Sequence, residues 1–122
     1  MTFVISKDFT FAASHVLNGL AEGHKCGRLH GHNYVVRVEL SGPLNDVGFV
    51  VDYGDLAPFG EWINNTLDHR HLNDVLTTVI NPTAENLALI LASELRDQCS
   101  VPSDITVAVG VSETPKTWAW YR

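Results

Sequence analysis

Apolar and polar positions alternate from Phe3 to Leu17, with Phe9, Phe11, Ala13 and His15 on one parity and Thr10, Ala12 and Ser14 on the other. A period of two predicts a half-buried β-strand, here one whose apolar row ends in a histidine. The same period returns from His30 to Leu40. Tyr34, Val36, Val38 and Leu40 share the parity of His30 and His32, while Asn33, Arg37 and Glu39 take the other face. Ser41, Gly42 and Pro43 end this second strand, and Gly19, Gly23 and Gly27 among polar neighbours predict a loop over 18–29.

Beyond the short apolar stretch Gly48 to Tyr53 the period lengthens. Asp52 or Asp55 is placed to cap a helix carrying Leu56, Phe59, Trp62, Ile63 and Leu67, with Pro58 tolerated only in its first turn. Asp68 to Asp74 is too polar for a buried helix and predicts a loop. A second helix opens at Asn81-Pro82-Thr83 and carries Leu87, Ile90, Leu91 and Leu95 on one stripe. Ile105 to Val111 and Thr117 to Tyr121 predict two closing strands joined through 112–116. The order β-β-α-α-β-β implies a two-layer α+β architecture over residues 1–122, a four-stranded antiparallel sheet with two helices on one face. No repeat, low-complexity tract or linker divides it. The uncovered sheet face must meet water or another subunit, and the aromatic tail Trp118, Trp120 and Tyr121 argues for an oligomer.

Composition narrows the possible functions. The chain has 122 residues, 45% hydrophobic and 18% charged, which is enough to bury a core without staples. A formal net charge of -6 argues against general affinity for nucleic acid or anionic membrane, so any anionic ligand must be held by a local cluster. The first residues lack a basic region followed by an apolar run, and no apolar segment approaches the roughly 20 residues needed to span a bilayer. A cytoplasmic protein is expected, with Cys26 and Cys99 as separate thiols.

Of the 6 histidines, all but His15 fall within 24–32 and 69–71. In Cys26-Gly27-Arg28-Leu29-His30-Gly31-His32, a strand would point both rings of His30 and His32 the same way. With His15 on a paired strand, three imidazoles would leave one coordination position open, the catalytic pattern for Zn(II). His-x-His could instead be a surface pair, and Cys26 could close the site as a structural fourth ligand. Against the second reading, a chain with this core has no need of a metal to fold, and Lys25 and Arg28 beside Cys26 favour a reactive thiolate. In Asp68-His69 a carboxylate can fix the imidazole tautomer for acid/base work, although the dipeptide alone is common. Arg70, His71 and Asn73 read as solvated loop residues. Glu113 is either a surface charge or an acceptor for two neighbouring N–H groups of a planar heterocycle.

Several segments together carry a resemblance: Phe11-Ala12-Ala13-Ser14-His15, Glu22 to His32, Gly48 to Tyr53, Leu67-Asp68-His69, Asn81 to Asn86 and Glu113-Thr114. The chain resembles the 6-pyruvoyltetrahydropterin synthase family over nearly its whole length, and within it the branch forming 6-carboxytetrahydropterin in deazapurine (queuosine) biosynthesis. The pyruvoyl-forming branch has Cys-x-x-x-x-x-His-Gly-His and a third branch has glutamate for cysteine, whereas three residues separate Cys26 from His30 here. Ser14 departs from the common Ala-Ala-His but matches the alternative Ala-Ser-His form. The resemblance implies the T-fold, whose sheets join into a barrel within a homohexamer, with neighbouring subunits completing each active site. It implies zinc on His15, His30 and His32, Cys26 as catalytic thiol, Asp68 and His69 as its acid/base partners, and Glu113 anchoring the pterin. The implied reaction converts 7,8-dihydroneopterin triphosphate into 6-carboxy-5,6,7,8-tetrahydropterin, acetaldehyde and triphosphate. Lys25, Arg28 and Lys116 are the local cations available to the triphosphate.

Overall fold

The computed structural model describes residues 2–79 and 81–122. In chain order its elements are β1 (Phe3–His15), β2 (His30–Gly42), α1 (Ala57–Thr66), β3 (Arg70–His71), the single turn α2 (Leu72–Val75), α3 (Ala84–Gln98), β4 (Thr106–Ser112) and β5 (Ala119–Tyr121). β1 and β2 pair antiparallel without a break from Phe3↔Gly42 to His15↔His30. This register places Ala13 opposite His32 and brings the three expected ligand positions to one end of the hairpin. The predicted parity is the buried one, with Phe11, Ala13, His15, Tyr34, Val36, Val38 and Leu40 all inside.

The sheet has five strands in the order β3-β1-β2-β4-β5, not the four expected. The extra strand comes from the polar segment 68–74, read from its composition as a loop. It adds β3, parallel to β1 through Ala13↔Arg70 and Ser14↔His71, and then α2. Polarity argues against burial in an apolar core, but a sheet edge also satisfies polar groups by hydrogen bonds. His71 Nδ1 lies 3.0 Å from Ser14 Oγ, and the Asn73 side chain clamps the Val16 backbone, accepting from its N–H and donating to its C=O, both at 2.9 Å.

The helical layer follows the sequence signals. Asp52 accepts from Gly54 N–H at 2.9 Å and caps the 3-10 turn Tyr53–Leu56, which runs into α1 with Pro58 in its first turn. α1 buries Phe59 and Ile63, and Phe59 meets Phe9 edge-on at 5.1 Å. Thr83 caps α3 by accepting from Asn86 N–H at 3.1 Å, and Leu87, Leu91 and Leu95 bury the stripe. Each such side chain contributes about 1.5–3 kcal/mol on burial, so the apolar layer supplies the frame on which the polar site is built.

The aromatic tail packs within its own chain. Trp120 lies on Gly110, where an added Cβ would stand 2.7 Å from the indole. Trp118 stacks on Trp120 at 5.9 Å, Arg37 covers Trp118 and Arg122 covers Trp120, each at 4.7 Å. Asp8 holds Arg37 through two bonds of 2.9 and 3.0 Å. Among the described residues no helix is long and apolar enough to cross a membrane.

Candidate metal centre and acid/base dyad

His15, His30 and His32 converge, with their ligand nitrogens within 4.8 Å of one another. His15 is fully buried and its Nδ1 lies 2.8 Å from the Pro82 carbonyl, just before α3; His30 Nδ1 lies 2.7 Å from the Arg28 carbonyl. A carbonyl only accepts, so both Nδ1 atoms carry a proton, and in the neutral rings both Nε2 atoms present lone pairs. Those Nε2 atoms stand 2.9 Å apart. His32 Nε2 is buried without a hydrogen-bond partner, 3.6 Å from Glu113 Oε2. Two facing lone pairs and one orphaned nitrogen are what a divalent cation would satisfy, and backbone acceptors on the outer nitrogens are the usual support of metal-bound histidine. Burial pushes His15 and His32 below the ordinary histidine range, against the opposing pull of the Pro82 carbonyl and Glu113 on His15 and of Glu113 on His32. Both are thereby kept in the neutral form that ligates. The three nitrogens could together hold a metal ion.

Asp68 and His69 are held against the edge of β1 where β3 begins. Asp68 Oδ1 accepts from Ala12 N–H at 2.9 Å, and His69 N–H donates to the Ala12 carbonyl at 2.6 Å. The remaining oxygen, Oδ2, takes His69 Nδ1 at 2.9 Å, which leaves His69 Nε2 outward on a ring that is 82% exposed. His69 has φ +58, the left-handed region that costs a non-glycine residue on the order of 1–3 kcal/mol, so its placement is imposed by these contacts. The Ala12 N–H, then the His69 ring, hold the Asp68 carboxyl below the usual carboxylate range.

His69 opens on a cleft of about 470 Å³ that it lines with Ala12, Ser14, Gly31, Asn33 and His71. These strand positions have the parity opposite to the three histidines. The paired Ala13 and His32 between them present backbone there, because alternation sends their side chains to the helical face. Dyad and metal centre thus belong to opposite faces of the sheet.

Cys26 lies half-buried in the 3-10 turn Lys25–Gly27, its N–H donating to His24 Nδ1 at 3.0 Å and its carbonyl accepting from Leu17 N–H at 3.1 Å. The group of candidate metal ligands found among the described residues holds three imidazoles and no cysteine sulfur. Cys99 is a buried free thiol behind α3. Glu113 follows β4 and lines a pocket of about 360 Å³ with Leu17, Thr83, Glu85 and Ala119. Lys25, Arg28 and Lys116 are exposed. Residues to which the sequence reading gave no part in the site matter here: Asn73 fixes Val16, Asn81 fixes Asn18 through bonds of 2.7 and 2.9 Å, and Pro82 orients His15. Each bridges more than 50 residues, and no local pattern marks such a contact.

A two-layer α+β fold with an open sheet and a three-histidine centre at one end of its long hairpin defines the class. The family model for 6-pyruvoyl tetrahydropterin synthase matches residues 4–122. A 6-carboxy-5,6,7,8-tetrahydropterin synthase of Haemophilus influenzae is 39% identical, covering 98% of this chain and 99% of its own, and a putative one of Archaeoglobus fulgidus is 34% identical over 98% and 95%. The structure of Caenorhabditis elegans 6-pyruvoyl tetrahydropterin synthase superposes with a TM-score of 0.87 at 29% identity, covering 100% of this chain and 96% of that one. The chain belongs to the 6-pyruvoyl tetrahydropterin synthase family and has its T-fold.

Proposed function

We propose that the protein is a zinc-dependent lyase converting 7,8-dihydroneopterin triphosphate into 6-carboxy-5,6,7,8-tetrahydropterin, with release of acetaldehyde and triphosphate, in deazapurine (queuosine) biosynthesis. The observation that carries this reading is the pair His15 and His30, both held by carbonyls with their Nε2 lone pairs turned inward beside His32. Zn(II) bound there supplies Lewis-acid polarisation of the substrate's side-chain oxygens. Glu113, beside His32 and at the mouth of its pocket, accepts the neighbouring N–H groups of the pterin. Cys26 and His69 move protons at the side-chain carbons and hydroxyls during triphosphate elimination, internal redox transfer and carbon–carbon cleavage, and Asp68 holds His69 in the tautomer that leaves Nε2 as base.

The metal ligands and the dyad lie on opposite sheet faces, which supports a site shared between copies, the dyad of one chain serving the metal centre of its neighbour. A homohexamer of sheets joined into a barrel provides that arrangement. Lys25, Arg28 and Lys116 are the proposed cations for the triphosphate.

Product choice rests on the three-residue gap between Cys26 and His30. The second reading, 6-pyruvoyltetrahydropterin formation, is favoured by the fold match to the C. elegans structure. Incubation of the metal-loaded protein with 7,8-dihydroneopterin triphosphate, followed by mass spectrometry and an acetaldehyde assay, decides between them. Carboxytetrahydropterin with acetaldehyde is expected; a pyruvoyl product without acetaldehyde selects the second reading, and unchanged substrate removes both.

A further inference from the structure

We propose that the cleft beside Asp68 and His69 is the subsite for the triphosphate leaving group, with Ser14 and His71 as its hydrogen-bond donors. The identity of the anion rests on the reaction proposed above; the donor geometry does not.

Ser14 on β1, its register partner Gly31 on β2 and His71 on β3 form one row across three strands on the sheet face away from the helices. Gly31 has no side chain and Ala12, in the next row, has only a methyl, so the floor of the cleft is open to a bulky group. Ser14 Oγ and His71 Nδ1 are 3.0 Å apart, and either sense of that bond leaves a donor for the cleft. If the hydroxyl donates, the imidazole proton is on Nε2; if Nδ1 donates, the hydroxyl proton is free.

The wall of the cleft runs through His69, Arg70 and His71, a guanidinium between two imidazoles in a chain of net charge -6. Arg70 donates from Nη2 to the Asn65 carbonyl at 3.3 Å, which fixes a guanidinium near this wall. The carboxylate at the same edge, Asp68, is already engaged by Ala12 N–H and His69 Nδ1, so its charge is partly neutralised where an anion would approach. Position agrees with chemistry. The bond to the leaving oxygen breaks next to the carbon whose proton the dyad handles, so the departing anion belongs beside His69. When two copies share a site, Lys25 and Arg28 of the metal-bearing copy supply the facing cations.

Inorganic triphosphate is the probe, titrated calorimetrically at low salt into wild type, His71→Ala and Ser14→Ala, with neopterin titrated in parallel. Binding of triphosphate is expected to weaken by about tenfold in either variant, the factor carried by one charge-assisted hydrogen bond, with neopterin affinity unchanged. Ser14→Ala removes one hydroxyl from a long strand and gives the readout should His71→Ala displace β3. Equal triphosphate affinity in all three proteins, or none in the wild type, overturns the proposal. Failure of the reaction assay with triphosphate binding still dependent on His71 would remove the lyase reading and leave a polyphosphate subsite standing.

Discussion

His15 and His30 face each other across β1 and β2 with their Nε2 atoms 2.9 Å apart, while the Nδ1 of each is committed to a carbonyl, Pro82 for one and Arg28 for the other. A neutral ring cannot donate to its neighbour without giving up its outer bond, so the facing nitrogens are suited to hold a cation between them. His30→Ala is expected to lower bound metal from near-stoichiometric to background by elemental analysis. Far-UV circular dichroism should be unchanged, because the core of apolar residues lies elsewhere along the hairpin.

Cys26 lies in a turn outside the imidazole cluster. Cys26→Ala should therefore keep its metal and lose turnover by about 10²–10⁴, the range of one proton-transfer group. Metal content and kcat measured on one preparation test this. Loss of metal together with activity would mark the sulfur as a ligand.

Asp68 binds the β1 edge as well as His69, so Asp68→Asn acts on stability and on rate. The Ala12 N–H, then the His69 ring, lower its folded value below the ordinary 3.8. Between those two values the unfolded chain binds the proton more readily, so stability from this contact is present above about pH 3.8 and is lost as pH falls through the folded value. Thermal unfolding should show Asp68→Asn below wild type at neutral pH, with the two curves converging in strong acid. The same variant should lower kcat by roughly 10²–10⁴.

Gly110→Val tests the packing of the tail. Its Cβ would stand 2.7 Å from the Trp120 ring, so the indole must leave the sheet. A loss of about 1–3 kcal/mol in urea unfolding is expected from such overpacking, together with a red shift in tryptophan fluorescence. An unchanged spectrum would mean that Trp120 does not rest on Gly110.

The long hairpin was legible because its period of two runs unbroken through both strands, and the parity that buries Phe11 and Tyr34 also carries His15, His30 and His32 to one place. Both main helices announced themselves by a cap and an apolar stripe. The segment 68–74 did not, since β3 and α2 are held by His71, Asn73 and backbone contacts made 56 or 57 residues away. The orphaned His32 Nε2 and its approach to Glu113 likewise depend on where β4 ends beside β2, which no spacing within the chain encodes. The sequence could place Asp68 and His69 in one dipeptide but not on the face opposite the metal ligands.

His69 combines two requirements that ordinarily favour different residues. Its φ of +58 suits glycine or asparagine, whereas the chemistry proposed for it needs an imidazole. Replacement by glycine would remove a backbone penalty of about 1–3 kcal/mol and add about 0.5–1 kcal/mol of chain entropy, while giving up the bond from the ring to Asp68. The resulting protein would melt close to wild type and lose turnover by about 10²–10⁴. Selection for thermal tolerance alone would therefore find nothing to protect at position 69, and screens of variants by folding or yield would pass the enzyme's most consequential losses as neutral.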